Sequence, residues 1–547
     1  MEPKLMTPGV YLVENNAFPS SAVAVETAIP VFIGYTSTAA WKGKDLKKVP
    51  TRITSFAEYK ERFGEGFSAK FDVSEIEEAE TTDETKAGAN TETTPNTPPK
   101  VVSTIGGKKL TVSIAAQNTA YMYNSIRLFY ANGGGPCYIL SVGLYEDTKV
   151  DIKPDDFGED VFKLLEKEYE PTLIVIPDAI SLGRPCYKIY VNVLAHCAKM
   201  QSRFGIFDLV QFTPTSQLST VAEDFRYDIG TQNLNYGAAY YPWLKTSIVN
   251  ASEITFQNLT SPGILSTLLS EDDAQQVLKN FESKYTPGLT AEATPVSTSA
   301  AKPKDKTKET TPPAGEAAPE KKPATKSDLL NFHQALLATS PTYNQLLDEI
   351  RGRLNELPSS AAMAGLYTVI DNSRGVWKSP ANISVNMVNA PAVNISHDEQ
   401  EKLNVDVIAG KSINAIRSFP GIGTLVWGGR TLDGNSQDWR YINVRRTMIM
   451  IEQSLKLATR AYVFEPNDAN TWITVKSMMN NFLLNLWKQG ALAGSAPEQA
   501  FDVQVGLGST MTPNDILDGK MLIMVKVAIV RPAEFIVITF QQQMQQS

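Results

Sequence analysis

Residues 171–178 read PTLIVIPD, a short run rich in β-branched side chains with Pro171 at its head and Pro177 near its end. Such a run is a strand. GPCYILSV at residues 135–142 has the same character, and the segment from Tyr187 to Arg203 reads as a helix. Strand and helix signals alternate through residues 101–285, which points to α/β layers. Toward the C-terminus the helix signal strengthens. Met448, Ile451, Leu455, Ala458 and Tyr462 recur at spacings of three and four, while Glu452 and Lys456 pair one turn apart on another face. Trp472, Val475, Met479, Phe482 and Leu486 repeat the stripe, and Gly490 stands where a C-terminal cap belongs. The two stripes predict that these helices pack together. Three strand signals close the chain: AFDVQVGL (500–507), MLIMVKVAIV (521–530), read as a buried strand, and EFIVITFQQ (534–542).

Two segments break this pattern. Residues 72–100 hold eight acids and two lysines with no aromatic side chain, too little apolar surface to offset the entropy of ordering. Residues 286–327 form a Pro/Ala/Thr/Lys linker of extended character. The remainder is ordinary globular sequence. With 547 residues, 42% hydrophobic and 20% charged, the chain suits three or four folding units around sizeable cores. A net charge of −8, without a long basic run, gives a duplex-binding surface little electrostatic support, so nucleic acid is not an expected partner. The longest apolar stretch, Met521–Val530, is half of what a bilayer span needs and contains Lys526, so direct membrane insertion is not expected. The opening MEPKLMTPGV lacks the features of a secretion signal, and three cysteines (Cys137, Cys186, Cys197) are too few for a disulfide scaffold. The expected compartment is cytoplasmic.

No catalytic constellation emerges. His196, His333 and His397 sit in unrelated settings, and the His196–Cys197 pair lacks a second ligand pair at metal-site spacing. Gly421-Ile-Gly423-Thr-Leu-Val426 starts like a dinucleotide loop but has Val426 in place of the third glycine. Gly133-Gly134-Gly135-Pro136 lacks the Lys-Ser/Thr of a phosphate loop and reads as a turn. Asp178 stands at a strand end, where α/β enzymes place catalytic groups and where turn or cap aspartates also occur. Hence no catalytic residue, metal or cofactor is expected.

The ends are more informative. Val10, Tyr11, Leu12, Val13 and Glu14 form a strand-like run followed by the leash Asn15–Ser21. A lone strand cannot satisfy its own backbone and needs a sheet edge, in this chain or in another copy. Beyond the break at Arg531-Pro532, Phe535, Ile536, Val537, Ile538, Thr539 and Phe540 form a last strand with two apolar faces, an aggregation hazard unless both are covered. Intramolecular pairing and exchange between subunits remain open for both.

The order of eight motifs carries a family resemblance: TPGVYLVE (7–14), TSFAEYKERFG (54–64, Ser55 as N-cap with Glu58 three residues on), YANGGGPCYILSVG (130–143), FPGIGTLVWGGRTL (419–432), DWRYINVRRTMIMIEQSL (438–455), YVFEPNDANTW (462–472), NNFLLNLWKQGALAG (480–494) and RPAEFIVITFQQQ (531–543). Together they resemble the tail sheath proteins of contractile phage tails, R-type pyocins and extracellular contractile injection systems. The resemblance spans the first 70 residues, the GGGPCY region and nearly all of 360–547, with 150–330 alike only in position.

It implies an α/β (α+β) fold whose sheath core comes from the N- and C-terminal parts of the chain, with an inserted outer α/β domain and extended terminal β-arms. The implied division is an arm and leash at 1–21, first core part 22–71, acidic insert 72–100, outer domain 101–285, linker 286–327 and tube-facing C-terminal domain 328–547. It further implies a structural, non-enzymatic subunit in stacked sixfold rings around an inner tube. Val10–Glu14 and Phe535–Phe540 would be donated to neighbouring copies, and contraction would drive the tube through a target envelope. Implied partners are further copies of the chain, the tube protein, baseplate and terminal cap proteins, and other sheath paralogues. Particles would assemble in a bacterial cytoplasm and serve as a phage tail or a released tail-like device. Lys411, Arg417 and Lys488 are candidates for tube contact, and the leashes Asn15–Ser21 and Gly519–Lys520 and the Arg531-Pro532 bend for hinges. Alternatives are a paralogue at the baseplate or cap end, or an α/β enzyme using Asp178 or the Gly421–Gly423 turn.

Overall fold

The computed structural model describes residues 22–76, 101–115, 119–146, 149–210, 218–285, 321–406 and 409–538. At its centre lies the strand Pro30–Thr36, all seven residues of which are buried. Val31, Ile33 and Tyr35 point into one apolar cluster and Phe32 into another, so the sheet is covered on both faces, as parallel sheets require. Nine strands follow the order Ile383–Ser384, Gly423–Val426, Asn414–Phe419, Gly237–Tyr241, Phe204–Asp208, Leu173–Val175, Pro30–Thr36, Cys137–Leu144, Thr51–Ile53. The six from Asn414–Phe419 to Cys137–Leu144 run parallel; Thr51–Ile53 closes one side antiparallel, and Gly423–Val426 and Ile383–Ser384 close the other. Helices Met122–Ala131 and Ser360–Arg374 bury residues in one cluster, and Cys186–Met200 in the other.

This topology redraws the expected domain map. The division at 101 and 285 cuts through the central sheet, because strands between Cys137 and Tyr241 pair with strands near residues 30 and 414. The second lobe is instead built from Phe71–Glu75, Val101–Ile105 and Lys108–Ile114 as a small antiparallel sheet. Helices Asp272–Lys284, Lys326–Thr339 and Pro341–Leu354 share its apolar cluster. Both compositionally biased segments belong to this lobe's sequence, and each is shorter than its composition suggested. Asp72–Glu75 are already in a strand, and Thr325 caps the helix that follows the linker, exchanging hydrogen bonds with Asp328. Residues 77–100 and 286–320 lie outside the described set.

A third unit holds the two long helices, Ile442–Thr459 and Ala469–Lys488, and the antiparallel pair Phe501–Val505 with Ile523–Val527. Ile451 and Leu455 meet Val475, Met479, Phe482 and Leu486 in one cluster, the packing the two stripes predict. Asp468 caps the second helix by accepting from the Thr471 amide at 3.0 Å, and Gly490 follows its end at φ 83. MLIMVKVAIV is not a buried strand. Only Ile523–Val527 is assigned as strand, with Ile523, Val525 and Val527 half-buried and Met524 and Lys526 exposed. Its run is apolar, but one face looks outward.

The N-terminal approach is stapled to this unit. Arg446 and Asp371 form a buried ion pair (Nη1 to Oδ1 3.0 Å, Nη2 to Oδ2 2.5 Å; side chains 4% and 3% exposed). Arg446 also donates to the Thr27 carbonyl, Thr27 Oγ1 donates to Asp371 Oδ2, and the Val25 amide donates to Ser454 Oγ.

Candidate functional site

Asp178, His196 and His333 have structural partners. Asp178 is fully buried and accepts from the amides of Tyr35 (2.7 Å), Tyr121 (2.6 Å) and Met122 (3.0 Å). It ties the central strand to a helix start. Burial pushes its carboxyl up to about 6 against these three donors. His196 accepts from Arg203 Nη1 at 2.6 Å through Nε2, and Arg203 also donates to the carbonyls of Leu165 and Glu168. Because a guanidinium can only donate, Nε2 must be the unprotonated nitrogen. Burial and the Arg203 charge hold the ring neutral, down to about 4. His333 Nδ1 is 2.8 Å from the Tyr343 hydroxyl. The cysteines are buried and unpaired, with Cys137 and Cys197 pushed up to about 12 by burial, the reverse of a reactive thiol. Gly421 and Gly423 (φ 75 and 100) form the exposed tip of the hairpin joining Asn414–Phe419 to Gly423–Val426, and a strand, not a helix, follows them directly. Among the described residues no group of three or more His, Cys, Asp or Glu could hold a metal, and no helix is long and apolar enough to cross a membrane.

The three tube-contact candidates do not come together as one surface. Lys411 is buried and donates to the Arg226 carbonyl. Arg417 donates to Gln400 Oε1 at 2.6 Å, half-buried. Only Lys488, at the end of the second long helix, is exposed.

What stands open is the edge of Ile523–Val527. The Ala528 amide donates to the Ala500 carbonyl at 2.8 Å in the register that pairs Phe501 with Val527. In an antiparallel ladder bonded and non-bonded pairs alternate, so Lys526 and Met524 bond toward Phe501–Val505. The N–H and C=O groups of Ile523, Val525 and Val527 therefore point the other way, where the described residues offer no backbone partner. A groove of about 1200 Å³ runs along this edge. One wall is Ile523, Val525 and Val527; the other is Met448, Ile451, Leu455 and Tyr462 of the first long helix. Part of that helix's apolar stripe thus faces the groove. At the rim Phe464, fully exposed, holds a left-handed backbone (φ 72). Five strand residues span about 17 Å, and an apolar trough beside unpaired backbone is what an added strand fills.

The terminal segments were the predicted strands. Val10–Glu14 lie outside the described residues, as do Thr539 and Phe540. Phe535, Ile536, Val537 and Ile538 form no strand in the single chain and are 70%, 79%, 88% and 69% exposed. Just before them the chain is fixed. Arg430 grips Glu534 through Nε (2.9 Å to Oε1) and Nη2 (2.7 Å to Oε2), while Asn404 (2.7 Å) and Tyr441 (3.0 Å) donate to the same carboxylate. Asn443 donates to the Val530 carbonyl at 3.0 Å. These hydrogen bonds hold the Glu534 carboxyl below its usual range despite burial, which acts oppositely. The Arg531-Pro532 bend is pinned on both sides. Sequence reading missed this clamp, since Arg430 and Glu534 stand 104 positions apart.

Comparison with known proteins places these features. The phage tail sheath C-terminal domain matches residues 435–543. The tail sheath protein of Vibrio phage KVP40 is 25% identical over 194 residues, 35% of this chain and 27% of that protein; that of Burkholderia phage BcepMu is 30% identical over 142 residues, 25% and 29% respectively. The matched region thus spans under a third of these relatives' own length. Among solved structures, the contracted helical sheath of the anti-feeding prophage superposes with TM-score 0.55 at 26% identity, covering 98% of this chain and 99% of that one. A chain of the sixfold-symmetrised anti-feeding prophage baseplate gives 0.53 at 26% identity with the same coverage. The chain thus carries a match to the phage tail sheath C-terminal domain at residues 435–543 and shares its fold along its length with a chain of an assembled contractile sheath.

Proposed function

We propose that the chain is the structural subunit of a contractile sheath, polymerising around an inner tube in an extended, metastable state and contracting to drive that tube through a target envelope. The observation that carries this reading is the pairing of an open strand edge with an exposed apolar terminal segment in one chain. Each is incomplete alone, and each supplies what the other lacks. Val10–Glu14 of one copy and Phe535–Phe540 of another would complete the Phe501–Val505/Ile523–Val527 sheet of a third. A backbone hydrogen bond is worth roughly 1 kcal/mol net, so a five-residue strand is a moderate attachment and strength comes from holding each subunit several times. Contraction then draws on rearranged interfaces summed over many copies, which requires no catalytic centre, cofactor or metal.

Stacked sixfold rings, a tube protein, baseplate and cap partners, other sheath paralogues, and assembly in a bacterial cytoplasm for use as a phage tail or a released particle belong to the same reading. Likeness to a chain of the anti-feeding prophage baseplate supports a second one: a paralogue present in few copies at the baseplate. Electron microscopy of the purified chain tests the first reading. Long tubes or polysheath are expected; discrete monomers at every concentration and salt condition would refute it. The copy ratio of this chain to tube protein in purified particles separates main sheath from paralogue.

A further inference from the structure

Seven residues separate Val527, the end of the open strand, from Phe535, the start of the exposed apolar segment. An apolar strand joined by a short connection to an unpaired edge ordinarily folds back on that edge as a hairpin, because a local closure costs less entropy than finding another molecule. Among the described residues, Phe535–Ile538 do not. Ala528 and Val530 are drawn to the side away from the open edge: the Ala528 amide donates to Ala500, its carbonyl accepts from the Ala493 amide at 2.7 Å, and the Val530 amide donates to Ala491 at 3.3 Å. Glu534 is then locked by Arg430, Asn404 and Tyr441. The Arg430 guanidinium also lies 6.0 Å from the Phe535 ring, so the grip reaches the first residue of the free segment. The connection that would serve as the hairpin loop is therefore fastened at Ala528, Val530 and Glu534.

We propose that the Arg430–Glu534 clamp keeps the segment beginning at Phe535 from closing on its own chain's Ile523–Val527 edge, and so commits it to a second copy. Arg430 and Glu534 are positioning residues: the hydrogen bonds they make lie away from the open edge. The proposal rests on the reading that the segment is donated at all, and its test separates the two.

The full chain is compared with Glu534→Ala, with Glu534→Gln as a milder variant that keeps the side-chain shape, with a chain stopped after Glu534, and with Glu534→Ala in that stopped chain. Hydrogen exchange of the Ile523, Val525 and Val527 amides is read in unassembled subunits, and assembly by sedimentation. Release of the clamp is expected to slow these amides about tenfold or more through self-pairing and to reduce assembly, less so for Glu534→Gln. Stopping the released chain at residue 534 restores wild-type exchange. Wild-type exchange in both clamp variants overturns the proposal, whether or not assembly falls, since a loss of assembly without self-pairing means that the clamp only stabilises the fold. If the stopped chain without other change assembles normally, strand donation itself is wrong.

Discussion

Arg446, Asp371 and His196 show what single residues do here and what a sequence can reveal about them. Arg446 and Asp371 are both almost fully buried, and removing one leaves a buried charge uncompensated. Asp371→Ala is expected to cost roughly 3–5 kcal/mol by urea unfolding and to loosen residues 25–27; a loss below 1 kcal/mol would contradict the staple. His196 is neutral in the fold, its pKa held down to about 4 from the usual 6.5. A histidine depressed in this way favours folding above its unfolded pKa and withdraws that support as pH falls. Stability is expected to drop between pH 6.5 and 4, by up to roughly 3 kcal/mol, and His196→Gln, which keeps an acceptor for Arg203, flattens that slope in urea melts at pH 7 and 4.5. For Glu534 the direction is the usual carboxylate one: its lowered pKa supports the clamp above the ordinary glutamate range and loses it as pH falls below that range. Local roles were legible. Ser55 caps its helix by accepting from the Glu58 amide, while Glu58 accepts from Thr54, because all three lie within five positions. Asp178, Arg430 and Glu534 were not, since their partners are brought in by the topology from distant positions.

At the scale of elements, periodicity found both long helices, and the β-branched runs at 137–144 and 173–175 became sheet strands. What it could not supply was adjacency. Strands near residues 30, 140, 174, 205 and 238 lie side by side, with that near 415 beyond them; the first five are buried on both faces nearly throughout, and any order of such strands satisfies the pattern equally. The expected boundaries at 101 and 285 cut through the central sheet for this reason. The open edge of Ile523–Val527 was hidden too, since a strand's hydrogen-bonding side depends on register, not on composition. That register makes a sharp prediction. The Val525 amide points outward and the Met524 amide into the hairpin, so Val525→Pro is expected to leave the melting temperature within a few degrees while abolishing sedimentable assembly, as proline is tolerated on an edge. Met524→Pro, removing a ladder bond, is expected to lower stability by about 1–3 kcal/mol. Equal effects of the two on assembly and stability would contradict the inferred register.

The described residues form three packed units, with an apolar groove along the third and an apolar segment leaving a clamp, and the motifs along the chain told more about its use than its composition did. Eight short stretches in order were enough to suggest a sheath, while the open edge of Ile523–Val527 needed coordinates. The account stands on one claim, that the Ile523–Val527 edge is filled by a strand from another copy. Cryo-electron microscopy of tubes formed by the purified full chain tests it most directly. The expected map shows a continuous strand hydrogen-bonded to Ile523, Val525 and Val527 and traceable to a different subunit. A map in which that edge stays empty, or is filled by the same chain's own terminus, would contradict it.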